Sequence, residues 1–339
     1  MPFGSSKVYQ AALAQEINTL VTDPVLINLA AYTPLWRQPI AFTYRGHTIY
    51  SMAPSSSGGT TLAEILNMLE TRDSLPGAGS ADQVRLLAEV MRRAFADRNA
   101  YLGDPAFGEM PVATLISQAY AARRAADMSP DTATPSAGVQ PGLDEGVHTT
   151  HYSVIDAEGN AVSVTTTLNS GFGSAVTVTG AGFLLNNEMD DFASAPGKPN
   201  QYGLVQGDVN AIAPGKRMLS AMTPTIVLDS AGRLFMVVGT PGGPTIITTV
   251  AQVISNVIDQ RMSLADAVAA PRIHHQHLPD VIRYERGGLS GRTVRRLRAL
   301  GYRVREQEGY SGEVAAIIRG DHGWIGVADP RMAGAAAGY

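Results

Sequence analysis

The chain has 339 residues, 45% of them hydrophobic and 17% charged, with a formal net charge of −4 and an isoelectric point near 6.0. This is the composition of a globular protein with enough chain to bury a sizeable core in one large domain or two. Mild acidity gives no electrostatic footprint for nucleic acid or an anionic membrane, and the absence of cysteine excludes disulfides, thiolate metal sites and a cysteine nucleophile. Met1 to Ala30 contain no basic region followed by an uninterrupted apolar core, and no stretch reaches roughly eighteen apolar residues. As written, the chain is expected to be soluble and to carry no export signal.

Leu62, Ile65, Leu66 and Leu69 recur at helical spacing behind Thr61-x-x-Glu64, which has the form of a capping box. A second helix is expected from Ser80, with Gln83 in its first turn and Val84, Leu87, Met91 and Phe95 facing inward. A third is expected from Val112 to Ala126, ending before Pro130. Asp127 to His148 then holds three prolines, three glycines and almost no large apolar residue, and reads as an exposed connection, either a linker or a processing loop. Beyond it the pattern turns to strands. His151–Ile155 and Ala161–Thr167 flank the turn Ala157-Glu158-Gly159-Asn160, and Thr225–Leu228 and Leu234–Val238 repeat the arrangement. Val250, Ile254, Val257 and Ile258 restore helical spacing, Ser263-x-x-Asp266 opens a short helix before Pro271, and Val314–Ile318 with Trp324–Val327 form a last hairpin. Arg292, Arg295, Arg296 and Arg298 fall on a helical pattern and read as a solvated face. The first part is thus mainly helical, and the second strand-rich with helices packed outside it.

Thr149 opens the run Thr-Thr-His-Tyr-Ser-Val-Ile-Asp directly after the turn-rich connection. Cleavage of His148–Thr149 would give it a free amine. A threonine hydroxyl needs a base beside it to act as a nucleophile, and an α-amino group with a pKa of about 7.7–8.0 can be that base. The same threonine can also simply start a strand.

Three later segments are polar or Gly-rich where packing alone asks for neither. Thr165-Thr166-Thr167-Leu168-Asn169 ends a strand with hydroxyls and an amide, although threonine is also an ordinary strand residue. Asn186-Asn187-Glu188-Met189-Asp190-Asp191 reads as a solvated loop, a calcium-like site or a site for a substrate ammonium group. It lacks the glycine and distant glutamate of an EF-hand, which places calcium low. Gly239-Thr240-Pro241-Gly242-Gly243 follows an apolar strand and is either a tight turn or an anion nest of the oxyanion-hole type. It is no P-loop, because no lysine follows. His274-His275-Gln276-His277 has poor spacing for a metal and reads as a structural, hydrogen-bonding run. No Gly-x-Ser-x-Gly elbow is present, which disfavours a serine hydrolase.

Thr149 to Val154, Thr167-Leu168-Asn169, Leu184 to Phe192, Leu219-Ser220 and Pro241-Gly242-Gly243, in this order and spacing, resemble the γ-glutamyltranspeptidases, also called glutathione hydrolases. Tyr44-Arg45-Gly46, Ser55 to Gly59, Ala96-Asp97-Arg98, Tyr101 to Pro105, Ala328 to Arg331 and Ala337 to Tyr339 extend the resemblance over the whole chain. It implies an α+β fold, the four-layer αββα sandwich of N-terminal-nucleophile hydrolases, incomplete at its N-terminal side. Residues 1–148 would be the C-terminal part of the large, helical subunit ending in a processing loop, and 149–339 the small catalytic subunit, paired as a heterodimer after self-cleavage.

By the same resemblance Thr149 would be the nucleophile, Thr167 its hydrogen-bonding partner, and Gly242 and Gly243 the oxyanion hole. Asn169, Glu188 and Asp191 would hold the α-amino acid end of a γ-glutamyl donor, Ser220 its α-carboxylate, and Tyr202 would sit on a lid loop. The implied substrates are glutathione and other γ-glutamyl compounds, with water, amino acids or dipeptides as acceptors and no metal or organic cofactor. Two departures stand out. Ala221 occupies a position where many members carry a second serine. The family's large subunit also begins upstream, in a region that contributes core strands, an export signal and an arginine for the substrate carboxylate, a charge-assisted contact of roughly 1.5–3 kcal/mol. Two other readings follow from these departures: an amidase similar to the cephalosporin (glutaryl) acylases, and an inactive remnant acting as a binding partner. The family is typically periplasmic, secreted or membrane-anchored, and the chain itself assigns no compartment.

Overall fold

Ile40, Phe42 and Tyr44 are buried while Ala41 and Thr43 are exposed, the period-two pattern of a strand with one face on a core. The computed structural model describes residues 33–136, 149–178 and 182–338. Ile40–Tyr44 (β1) and His47–Ser51 (β2) form a hairpin, followed by helices Gly58–Glu70 (α1), Ala81–Tyr101 (α2), Val112–Leu115 (α3) and Gln118–Ala126 (α4). Strands Thr150–Ile155 (β3), Ala161–Thr166 (β4), Thr177–Val178 (β5), Phe183–Leu184 (β6), Thr225–Leu228 (β7) and Leu234–Gly239 (β8) come next. Helices Thr245–Ile258 (α5) and Leu264–Ala269 (α6) precede Ile273–His274 (β9) and Ile282–Glu285 (β10). Gly291–Ala299 (α7), Val304–Gln307 (β11), Ala315–Gly320 (β12) and Gly323–Ala328 (β13) close the chain.

The central sheet has the order β1-β2-β7-β8-β12-β13 and is antiparallel throughout. Because β2 pairs with β7, the segments before and after Thr149 share one sheet. One face carries the core: Ile49, Val227, Met236 and Val238 pack with Leu62, Ile65 and Leu66 of α1 and Ile247, Val250 and Ile254 of α5, all essentially inaccessible to solvent. Helix α2 packs outside α1, and β9–β11 with α7 flank it. The mixed α+β architecture expected from the sequence is present. No described helix is long and apolar enough to cross a membrane.

The opposite face of the sheet is covered by the β3–β4 hairpin, and here the polarity is reversed. Its inward row is His151 and Ser153 opposite Thr165 and Ser163. These groups are satisfied across the layer: Ser153 Oγ donates to the Ala315 carbonyl at 3.1 Å, and Ser163 Oγ accepts from Thr225 N–H at 3.1 Å. The outward row holds Tyr152, Val154 and Val162, each 49% exposed. Among the described residues no helix lies over it.

Two sequence-based expectations are corrected. Thr61-x-x-Glu64 is not a capping box: α1 starts at Gly58 and both residues are buried in its second turn. The helix expected over Val112 to Ala126 breaks at Ile116–Ser117, where Ser117 caps α4 by accepting from Tyr120 N–H. The connection from Asp127 is exposed at Asp127, Pro130, Asp131, Thr132 and Pro135, as expected, but it is pinned to the core at several points. Asp127 pairs with Arg93 at 2.8 Å, Thr134 N–H donates to Glu89 Oε1 at 3.3 Å, and buried Ser136 donates its N–H to Asp280 at 2.8 Å. Its remainder, from 137 to 148, lies outside the described residues, as does His148 of the expected cleavage bond.

Candidate active site

The hairpin register pairs Thr150 with Thr166, so one step beyond its open end Thr149 meets Thr167. Thr149 Oγ1 donates to Thr167 Oγ1 at 3.2 Å, and Asn169 N–H donates to the same Thr167 oxygen at 2.8 Å. Asn169 reaches that position through a left-handed backbone, φ 73°, a conformation asparagine tolerates better than most residues.

Thr149 separates two spaces. On one side is a narrow, partly open cavity of about 20 Å³, lined by Arg98, Thr167, Asn169, Asp191, Tyr202, Ser220, Ala221 and Gly243 among others, with room for about one water. On the other is an open groove of about 300 Å³ along Thr150, Thr166, Ser170 and Gly171. A larger cleft of about 770 Å³ beside Trp36, Pro54 and Glu109 contains none of the expected site residues.

The cavity is electrostatically unusual. Asp191 is pushed up to about 8, first by burial and then by the nearby Glu188 carboxylate, with Arg98 pulling the other way. Burial alone raises Glu188 to about 7. Two carboxyls that resist ionisation unless a positive group arrives form a receptor for a cation. Among the described residues no metal-ligand cluster occurs. Tyr202 is buried in the cavity wall, its hydroxyl hydrogen-bonded to Asn169 Oδ1. The histidine run holds it there: Gln276 Nε2 donates to the Tyr202 carbonyl at 3.0 Å, while His274 bonds Gln276 at 2.9 Å and Thr248 at 2.8 Å.

Ser220 is fixed by the run Ser55 to Gly59. Ser220 N–H donates to the Ser55 carbonyl at 3.0 Å, and Ser57 N–H and Oγ both donate to the Ser220 carbonyl, at 2.9 Å and 2.7 Å. A Cβ on Gly58 would stand 2.2 Å from the Met222 carbonyl oxygen, so glycine is what allows α1 to approach the Ser220 loop this closely. Gly242 and Gly243 lie in the turn from β8 into α5, both at positive φ (141° and 52°). Among the described residues neither glycine N–H donates to a protein acceptor, which leaves the pair able to serve an anion.

A gamma-glutamyltranspeptidase family model aligns with residues 2–339. The chain belongs to the gamma-glutamyltranspeptidase family. It is 44% identical over 339 residues to the glutathione hydrolase proenzyme of Escherichia coli (strain K12), covering 97% of this chain and 58% of that protein. It is 47% identical over 312 residues to the glutathione hydrolase proenzyme of Pseudomonas aeruginosa, covering 91% of this chain and 56% of that one. Its fold is similar to the crystal structure of a cephalosporin acylase from Bacillus halodurans, with a TM-score of 0.79, 25% identity, and coverage of 96% of this chain and 58% of that one. The chain spans a little over half the length of the curated relatives it matches, 58% and 56%.

In this member of the family the structure brings Thr149, Thr167, Asn169, Asp191, Tyr202, Ser220 and Gly243 to one cavity. Glu188 and Gly242 are not part of its lining: Glu188 acts on it through the charge it exerts on Asp191, and Gly242 adjoins Gly243 in sequence. Sequence reasoning gave no role to two other groups. His151 is buried and pushed down to about 4 by desolvation, with Nδ1 bonded to Thr165 at 2.8 Å. Its ring lies where a Cβ of Gly239 would be, 2.2 Å away, so it locks the strand of Thr149 against the strand leading to Gly242 and Gly243. The second is Arg98, wholly buried in the cavity wall.

Proposed function

We propose that this chain cleaves γ-glutamyl amide bonds, glutathione and its conjugates among them, and passes the γ-glutamyl group to water or to an amino-acid or peptide amine. The observation that carries this reading is the Thr149–Thr167 hydroxyl pair at 3.2 Å, standing between a cavity with paired acidic groups and an open groove. In maturation the Thr149 hydroxyl attacks the His148 carbonyl, the peptide nitrogen leaves as the amine of Thr149, and water hydrolyses the resulting ester. In turnover that amine takes the hydroxyl proton as Oγ1 attacks the γ-carbonyl carbon. Gly242 and Gly243 N–H groups meet the developing oxyanion, and the proton goes to the departing amine. Water or an acceptor amine, entering by the groove, then resolves the ester.

Tyr202 must leave Asn169 for a donor to enter, because the cavity beside it holds only about one water. Asn169, Asp191 and Glu188 then take the donor's ammonium end and Ser220 its carboxylate. Similarity to the cephalosporin acylase supports a second reading, a glutaryl amidase, but a glutaryl group brings no cation to Asp191 and Glu188. Release of aniline from γ-glutamyl and glutaryl anilides by the full chain separates the two. Faster turnover of the γ-glutamyl donor is expected, and preference for the glutaryl donor would overturn the assignment of the acidic pair.

A further inference from the structure

The turn that carries Gly242 and Gly243 is held by two threonine hydroxyls that the proposed chemistry does not use. Thr240 is fully buried, and its Oγ1 donates to the Pro241 carbonyl at 2.8 Å while accepting the Glu313 N–H at 2.7 Å. Thr245, also buried, opens α5. Its Oγ1 donates to the Gly242 carbonyl at 2.7 Å, an oxygen that its own N–H reaches at 3.0 Å. Both hydroxyls are packed against glycine. A Cβ on Gly242 would stand 2.5 Å from Thr245 Oγ1, and one on Gly312 would stand 2.4 Å from Thr240 Oγ1, so a side chain at either position would collide with the hydroxyl that holds the turn.

The two carbonyl oxygens belong to the peptide groups whose nitrogens are those of Gly242 and Gly243. Both peptides are trans, and in a planar trans peptide the C=O and N–H point in opposite directions. Fixing the Pro241 oxygen therefore fixes the direction of the Gly242 N–H, and fixing the Gly242 oxygen fixes that of the Gly243 N–H. Glycine has no Cβ to restrict these planes by itself. Gly243 lies in the same cavity wall as Thr149.

We propose that Thr240 and Thr245 are positioning residues, each aiming one N–H of the oxyanion pair by holding the oxygen at the far end of the same peptide. This rests on the acyl-transfer chemistry proposed above and adds the residues that preorganise it. Donors already aimed at a developing charge act on the transition state more than on the bound donor. Loss of either hydroxyl should therefore lower kcat and leave KM alone.

The test is turnover of γ-glutamyl anilide by the matured full chain, with thermal melting of each variant beside it. Thr240→Val and Thr245→Val keep the β-branch and remove the hydroxyl. Each is expected to lower kcat roughly five- to fiftyfold, less than the loss on deleting an oxyanion donor outright, with KM within about twofold of wild type. Thr240→Ser and Thr245→Ser restore the hydroxyl and should recover kcat to within about threefold. Thr249→Val removes an equally buried hydroxyl, bonded at 3.0 Å to the Ser311 carbonyl, and should lose stability without the loss in kcat. The two hydroxyls act on separate peptides, so either valine variant carries the test if the other fails to fold. Unchanged kcat in the valine variants, serine variants as slow as the valine ones, or Thr249→Val as slow as either would overturn the assignment while leaving the γ-glutamyl reading intact. A wild-type chain that does not turn over γ-glutamyl anilide would sink that reading and this inference with it.

Discussion

At the residue scale the acidic pair makes a prediction of definite sign. Asp191 and Glu188 have folded-state values of about 8 and about 7 against 3.8 and 4.5 for the free side chains. A raised value means that the fold favours the protonated form. Their contribution to stability is full below the free values and is lost as pH rises through about 7 and about 8. Thermal melting between about pH 4 and about pH 9 should therefore fall less steeply in Asp191→Asn than in the wild type; parallel curves would contradict the assignment. A donor ammonium reverses the effect by favouring both carboxylates, so ligand binding near neutral pH should release protons. Calorimetry in buffers of different ionisation enthalpy measures that release directly.

Some of these residues were legible in the sequence and others were not. Thr149 and Thr167 could be paired because they flank a hairpin whose turn and register are local. Asp191 and Glu188 stood out as an acidic run in an otherwise strand-rich stretch. Arg98 was hidden because a basic residue at helical spacing behind Met91 and Phe95 reads as a rim residue, and only the fold shows that α2 is buried where it passes the cavity. His151 was hidden for a similar reason: strand alternation with Tyr152 and Val154 suggests the opposite face as the inner one.

At the element scale the junction of α1 with the Ser220 loop is the clearest case of competing effects. Helix propensity alone says that Gly58→Ala in α1 should stabilise by up to about 1 kcal/mol. The Cβ contact of 2.2 Å with the Met222 backbone oxygen says the opposite, and a backbone atom cannot rotate away. Gly58→Ala is expected to destabilise by about 1–3 kcal/mol and to lower activity by shifting Ser220, as judged by denaturant unfolding and anilide turnover. A gain in stability would show that the loop yields easily. The same close approach explains why the start of α1 was misread: two glycines and three serines have the composition of a loop, and the first plausible capping residues came a turn later. β1 and β2 were missed because each is only five residues long; the pairing of β2 with β7 is non-local and is not reported by any short-range pattern.

At the scale of the whole molecule the six-stranded sheet divides an apolar core on one face from a polar, hydrogen-bonded layer under β3–β4 on the other. The half-exposed Tyr152, Val154 and Val162 form an apolar surface where a soluble domain ordinarily shows polar groups. With that face open, Tyr152→Lys and Val162→Lys together should change unfolding free energy by no more than about 0.5 kcal/mol each. A loss of several kcal/mol would mean that another part of the protein, or a second copy, packs there. The layered α+β class itself was legible, because strand alternation and helical periodicity are written into 150–328. The site was legible as a set of motifs, but the contacts that hold its cavity together come from α1 and α2, which periodicity assigns only to the core, and from the histidine run, whose hydrogen-bonding character was legible but not its partners.

The proposed chemistry depends most directly on Thr149 being a self-processing nucleophile. The deciding measurement is the intact mass of the purified full chain after incubation at neutral pH, beside Thr149→Ala. Two pieces, one ending at His148 and one beginning at Thr149, formed by the wild type and absent in the variant, are the predicted result. A single uncut chain in both samples, or cleavage at the same bond in both, would contradict it.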